Sequence, residues 1–237
     1  MLNMKSRINR LTTRILSYIH RRDYIDRRRQ RPMEIVWENS AKESAKFIGE
    51  NLENAILCET RDDLWLHALK SIPSEGNLIE CGVFEGASIN FIGDWLKDNN
   101  DQRVIDGFDS FEGLEEDWPG ENLPAGFFNL DGKLPKVRSN VRLHKGWVQD
   151  TIKPYIEKYN VESVAFLHID TDTYMPAIYL LNTLKPYLKK GSILVFDELI
   201  GYPNWQQNEY KALNEVYKRE DYEFIAFTSR RAALRMI

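Results

Sequence analysis

The stretch Leu78-Ile-Glu-Cys-Gly-Val-Phe-Glu-Gly-Ala-Ser88, LIECGVFEGAS, leaves an apolar run and drops into two glycines around one acidic residue. It has the form of a buried strand turning into a helix. Gly82 and Gly86 let backbone approach a ligand closely, and the helix that follows offers unpaired N–H groups to an anionic group such as a carboxylate. Glu80, at the strand end, is placed to accept from a ligand ammonium. The spacing is not G-x-G-x-x-G, so the dinucleotide fingerprint is missing. Taken alone, the turn does not separate a cofactor cradle from a tight connection.

Its surroundings extend the pattern. Residues 41–57 read as helix, and Thr60-Arg-Asp-Asp63 has the form of a capping box opening a helix with Leu64, Trp65, Ala68, Leu69 and Ile72 on its apolar face. An alternation follows: strand 77–83, helix 87–97, strand 103–109, a long loop 110–138, strand 141–146, helix 150–158, strand 163–170, helix 174–188 and strand 192–197. A helix near 205–219 and strands 222–228 and 231–236 close the chain. Strands separated by helices predict right-handed crossovers and an α/β, doubly wound, mostly parallel sheet of seven strands with helices on both faces. The last two strands are joined too tightly for a crossover, so one of them runs antiparallel. Such a sheet binds ligands beyond the carboxyl ends of its strands.

Three further strand ends carry chemistry. In Val104-Ile-Asp-Gly-Phe-Asp-Ser110, Asp109 stands where an acid can take both hydroxyls of a ribose, with Ser110 beside it; an Asx turn or helix cap is the structural alternative. In Leu143-His-Lys-Gly-Trp147, Gly146 permits close approach and Trp147 offers a surface to an adenine ring, or is plain core. The fourth group is FLHIDTDTY, ending a strand with His168, Asp170 and Asp172, and ILVFDELIGYPNW, ending the next with Asp197 and Glu198. Clustered carboxylates repel unless protonated, hydrogen-bonded or bridged by a cation. A hard, oxygen-ligated ion such as Mg2+ suits them. Capping explains one or two of these acids, not four. The phase of His168 within an apolar strand favours a hydrogen-bonded core histidine over a ligand.

Composition bounds the rest. The chain of 237 residues is 43% hydrophobic and 29% charged, and no apolar run approaches the roughly 20 residues of a membrane span. Cys58 and Cys81 lack metal-ligand spacing, and Cys81 falls at the end of a buried strand, where a disulfide is not expected, so a reducing cytoplasm is the expected compartment. Residues 1–31 hold ten Lys or Arg against Asp23 and Asp26, a balance of +8, leaving −12 on the other 206 residues. An acidic main domain makes nucleic acid an unlikely partner. The leader places Leu2, Ile8, Leu11, Ile15 and Ile19 at helical spacing between arginines, as in a surface-membrane or nucleic-acid contact, a transit peptide, or a helix docked on its own domain or a second subunit. Arg14 and Arg21 interrupt any secretory signal core. Residues 1–40 are therefore expected to form a basic helical extension on a domain spanning 41–237.

With these residues in hand, the chain resembles the class I S-adenosylmethionine-dependent methyltransferases, and more narrowly the macrocin O-methyltransferase (TylF-like) family. The shared features are IECGVFEGAS, GFDSFEGL, DGKLPKV followed by HKGWVQDT, HIDTDTY and FDELIGYPNWQQNEYKAL, in family order over residues 78–215. The resemblance implies a Rossmann-like fold in which the Glu80–Ser88 loop (Glu80, Cys81, Gly82, Gly86, Ser88) holds the methionine part of S-adenosylmethionine. Asp109 with Ser110 would take its ribose, Gly146 and Trp147 its adenine side, and Asp170 would border it. Asp170, Asp197 and Glu198 would bind Mg2+ or another divalent cation, although the family's usual second acid is the shorter Asp. It implies O-methylation of a small hydroxylated acceptor such as a sugar or glycosylated metabolite, with Asp170, and more weakly His168 or Asp172, taking the hydroxyl proton. A dimer or larger homo-oligomer is expected. The loop 110–138 is too long for an idle connector, and Trp118, Phe127 and Phe128 would either face the acceptor or pack on their own domain. Tyr202, Trp205 and Glu209 flank the acidic rim. The alternatives are an RNA methyltransferase using the basic leader, a noncatalytic cofactor- or partner-binding domain, and, at fold level only, a dinucleotide oxidoreductase.

Overall fold

The computed structural model of the chain describes residues 31–237 together with Leu16 and Tyr18, so the amphipathic leader lies almost wholly outside the described residues. Helix α1 covers 31–50 and crosses the expected boundary at residue 40. Its side chains are exposed as far as residue 39. From Ser40 it meets the body, where Phe47 packs edge-on to Phe224 and Phe227 and the Ser44 hydroxyl accepts from the Gly201 amide.

The helix ends seven residues before its expected stop. The Asn51 amide side chain bonds the Phe47 carbonyl, and the apolar run that follows becomes strand β1 (Ile56–Leu57) instead of a last helical turn. A short apolar run carries no period of its own, and here the open edge of the sheet decided. Helix α2 (Arg61–Leu69) starts at the expected capping box: Thr60 Oγ1 accepts from the Asp63 amide at 3.1 Å while Asp63 Oδ2 accepts from the Thr60 amide. Then come β2 (Asn77–Cys81), α3 (Ala87–Asp98), β3 (Ile105–Asp109), β4 (Val141–Lys145), α4 (Val148–Tyr159), β5 (Val164–Ile169), α5 (Tyr174–Leu184) and β6 (Leu188–Phe196). The helix expected near 205–219 is a 3-10 turn, Trp205–Gln207, followed by α6 (Glu209–Val216). Between them Asn208 leaves helical geometry and buries its amide on the Tyr202 hydroxyl. Strands β7 (Tyr222–Phe227) and β8 (Ala232–Met236) finish the fold.

The sheet has eight strands, one more than expected, in the order β1-β7-β8-β6-β5-β2-β3-β4. The extra strand is β1, paired parallel to β7 at the edge. Among the described strands only β8 runs antiparallel, between β6 and β7. Apolar clusters cover both faces: Ile79, Phe108, Leu167 and Phe196 on one, Leu78, Ile105, Phe166 and Val195 on the other. From β2 the chain runs outward to β3 and β4, then returns to lay β5 and β6 on the opposite side. The reversal between β2 and β5 opens a crevice at their carboxyl ends.

Candidate active site

Five adjacent strand ends build one rim because the ladder continues a residue past each strand. Gly82 N donates to Phe108 O, Gly146 N to Asp109 O, Asp170 N to Cys81 O and Asp197 N to Ile169 O, all at 2.8–3.0 Å. The following loops therefore start level. Gly82 is required where it stands: its φ is +90°, and a Cβ there would overlap the Asp170 carbonyl. The first and fourth loops thus pack backbone to backbone.

Above this rim lies a cavity of about 570 Å³ lined by Gly82, Asp109, Ser110, Trp147, Asp170, Asp197 and Glu198. That volume falls in the usual small-ligand range of about 300–1,000 Å³. These seven expected site residues meet here, together with Asp172. Glu80, Cys81, Gly86, Ser88, Gly146 and His168 do not line it.

Glu80 departs most from its expected part. Its carboxylate is fully buried, accepting from the Ser88 hydroxyl at 2.9 Å and facing His168 Nδ1 at 3.0 Å, so it braces the cradle from below and is closed to a ligand ammonium. Cys81 is buried beside it, and burial, with Glu80 and Asp109 adding, pushes its thiol well up. Asp109 faces the cavity and also braces it: Oδ2 accepts from the Val83 and Phe84 amides at 2.8 Å, Oδ1 from Phe111 N at 2.6 Å.

His168 is enclosed, against the expectation of a proton-accepting role. Its Nδ1 bonds Glu80, while Nε2 stands 3.5 Å from Asp197 Oδ1, too far for a good hydrogen bond but close enough for Coulombic attraction. Burial disfavours the imidazolium, yet Asp197 and Glu80 outweigh it and push the pKa up to about 9. Set between two carboxylates and off the cavity wall, His168 holds Glu80 and Asp197 in place, the hydrogen-bonded core histidine that its strand phase favours.

The acidic rim forms as expected and is larger. Asp170, Asp172 and Glu198 each bring an oxygen within 4.8 Å of the others, and His168, Asp170 and Asp197 make a second such group. Burial, then Asp197 and Glu198, hold the Asp170 pKa well up; Asp172 is pushed to about 8 by burial and Asp197. Burial, then Asp197 and Asp172, raise Glu198 strongly, and Glu198 Oε2 has no hydrogen-bond partner among the described residues. Glu209 of α6 is buried beneath them, accepting from Thr171 N, its pKa up to about 8 through burial and Asp172. Asp197 behaves oppositely: burial works against its charge, but His168 and Arg231 hold the carboxyl well below its ordinary range. Such a donor set, with an orphaned buried oxygen, fits a hard divalent cation.

The family described as "Methyltransferase domain" matches residues 79–199, just over half of the chain. The chain belongs to the methyltransferase domain family. Of the solved structures it resembles, the calicheamicin methyltransferase CalS11 is 25% identical with a TM-score of 0.59, over 73% of this chain and 76% of that one. The apo form of CalS11, a TDP-rhamnose 3'-O-methyltransferase, gives 28% and 0.53 over the same shares. The O-methyltransferase NovP, at 19% identity, 0.54, and 74% and 79% coverage, shares the fold. No curated protein sequence gives a significant match. The chain is an S-adenosylmethionine-dependent methyltransferase. The strand-end cradle, with Asp109 and Trp147 at its edge, fits that cofactor.

In this methyltransferase the segment 110–138 closes over the cavity. Glu121 accepts from Arg230 at 2.7 Å, Trp118 meets Tyr202 edge-on, and Gly120 sits against the Pro203 carbonyl where a Cβ has no room. Both expectations for its aromatics hold in part. Trp118 and Phe128 line the cavity, whereas Phe127 packs on Phe128 and stays out of it.

Sequence reasoning missed Arg230 and Arg231, in the β7–β8 turn, and Arg61 of α2, all on the cavity wall. A signal existed: SRR between two apolar strands puts paired cations where a hairpin turn meets the rim.

Proposed function

We propose that this methyltransferase transfers the methyl of S-adenosylmethionine to a hydroxyl of a small acceptor, a sugar or glycosylated metabolite, with help from a divalent cation. The observation that carries the reading is the union, in one cavity, of a nucleoside-sized edge at Asp109 and Trp147 with the carboxylate rim at Asp170. Sugar O-methylation by CalS11, at 28% identity, supports the acceptor class. The TylF-like subfamily is the finer placement, supported by the motif order described above.

Bound there, S-adenosylmethionine supplies a sulfonium-activated methyl and the cation supplies Lewis-acid polarisation of the hydroxyl. The chain's own residues do the remainder. The Gly82 loop and Asp109 fix the donor, and the rim fixes the acceptor oxygen. Alignment of this kind is worth up to about 7–11 kcal/mol. Asp170, shared by the cofactor loop and the rim, takes the hydroxyl proton. The lid pinned by Glu121 and Trp118 keeps water out.

We further infer a homo-oligomer, supported by the exposed Met33, Ile35, Val36 and Trp37 on α1, and a cytoplasmic site, in keeping with two free cysteines. No helix among the described residues is long and apolar enough to cross a membrane.

The test is transfer of labelled methyl from S-adenosylmethionine to nucleotide-activated sugars, glycosides and structured RNA, with and without EDTA. An alkali-stable methyl ether on a sugar, lost in EDTA, is expected. Labelling of RNA alone would overturn the reading.

A further inference from the structure

S-adenosylmethionine ends in an α-amino acid, and its carboxylate has to be met in a cavity whose charged wall is mostly acidic, with Asp109, Glu121, Asp170, Asp172, Asp197 and Glu198 on it. The loop after β2 has little left to offer that group. The amides of Gly82 and Gly86 donate to Phe108 O and Val83 O, and those of Val83 and Phe84 donate to Asp109 Oδ2. Ser88 gives its hydroxyl to Glu80, and a Cβ on Gly86 would lie 3.5 Å from Pro135.

The cations on the same wall are Arg61, Arg230 and Arg231. Two are engaged across the fold: Arg231 forks Asp197, and Arg230 donates Nη2 to Glu121. Arg61 differs. Among the described residues it donates Nε to Oδ1 of Asp62, the next residue, at 3.1 Å, and both side chains are about half exposed. An exposed pair of this kind is weak and leaves both Nη groups for a ligand. The guanidinium is nonetheless placed, its carbon 5.0 Å from the centroid of the Trp65 ring one turn along α2. Trp65 is buried and packs edge-on to His168 at 5.6 Å, which seats this end of α2 on the paired strands β2 and β5.

We propose that Arg61 binds the carboxylate of S-adenosylmethionine, so that α2, in addition to the Gly82 loop, shapes the berth for the amino-acid end of the cofactor. The inference needs only the cofactor and stands apart from the acceptor and the cation. A guanidinium offers a carboxylate two parallel N–H donors, and such a charge-assisted pair is stronger than a neutral hydrogen bond. Trp65 supports the planar guanidinium through its face, which leaves the in-plane donors to the ligand. The acids elsewhere on the wall repel a carboxylate. Arg61 therefore sets the orientation in which the amino-acid end points to α2 and the nucleoside to Asp109 and Trp147.

The probes are S-adenosylmethionine and its decarboxylated analogue, which differ by that one group, titrated by calorimetry into the full-length protein. The wild type should prefer S-adenosylmethionine by about tenfold or more, and Arg61→Gln should erase the preference. Arg61→Lys, which keeps the charge but not the fork, should restore part of it. The Thr60–Asp63 capping box uses no atom of the Arg61 side chain, and circular dichroism checks each fold. Arg230→Gln should keep the preference. Equal affinities in the wild type, an undiminished preference in Arg61→Gln, or its loss in Arg230→Gln instead would overturn the assignment and leave the methyltransferase activity standing.

Discussion

Arg231 and Asp197 meet as a two-pronged ion pair, 2.6 Å on each side, at the end of the rim where β8 crosses beside β6. Arg231 is largely and Asp197 almost wholly shielded from solvent, so the pair is stable only while both members remain. Arg231→Met leaves the buried Asp197 carboxylate with only His168, 3.5 Å away, and should cost up to about 3 kcal/mol of folding stability, read from urea titrations. Adding Asp197→Asn should return much of it. A single variant as stable as the wild type would show that water reaches the pair.

Asp106 ties β3 to β4 and α4. It accepts from Arg142 Nη2 at 2.8 Å and the Tyr155 hydroxyl at 2.9 Å, and faces His144 Nε2 at 2.7 Å. Burial opposes its charge, but His144, Arg142 and Tyr155 together hold its pKa below the ordinary value. A depressed carboxyl contributes stability that is full above the unfolded pKa of about 3.9 and is lost as pH falls through the lower folded pKa. Urea titrations from about pH 6 down to about pH 2 should therefore show acid destabilisation that Asp106→Asn flattens. Parallel curves for the two proteins would exclude Asp106 as the source.

Gly82→Ala is expected to damage fold and site together. Its φ of +90° costs an alanine about 1–3 kcal/mol, and the new methyl meets the Asp170 carbonyl. Lower stability accompanied by weaker S-adenosylmethionine binding in calorimetry is the expected pair of results. Loss of one without the other would separate loop packing from the cradle.

Trp147 caps the start of α4 and lines the cavity beyond Asp109. Trp147→Ala should weaken cofactor binding by up to about tenfold, the worth of one aromatic stacking contact. Acceptor KM at saturating cofactor should stay unchanged. A raised acceptor KM with intact cofactor affinity would move Trp147 to the other half of the pocket.

Glu121→Gln loosens the lid at Arg230 without opening a cavity. The acceptor's kcat/KM should fall while the cofactor dissociation constant holds. An unaffected kcat/KM would mean that Trp118 and the Gly120–Pro203 contact hold the lid by themselves.

Much of this was legible residue by residue. The run from Leu78 to Ser88 announced a strand, a glycine turn and a helix, and those elements stand within a residue or two of where the pattern put them. The acids at 170, 172, 197 and 198 declared a rim because each follows an apolar strand. Ile56–Leu57 was less legible: two apolar residues after a helix carry neither period, and only an unpaired β7 edge makes them a strand. Glu80 misled for a similar reason. An acid at a strand end looks available until a histidine 88 residues later, on the neighbouring strand, takes its charge.

Sequence alone, then, determined the strand–helix alternation, the antiparallel closing strand and the kinds of side chain at each strand end, since these follow from local period and turn chemistry. Tertiary structure decided which of those side chains answers which. Sheet order sets Glu80 against His168 and Asp197 against Arg231, contacts between segments far apart in the chain. The state of a buried charge depends on its nearest opposite charge and on the exclusion of water, and neither exists before the strands are laid side by side.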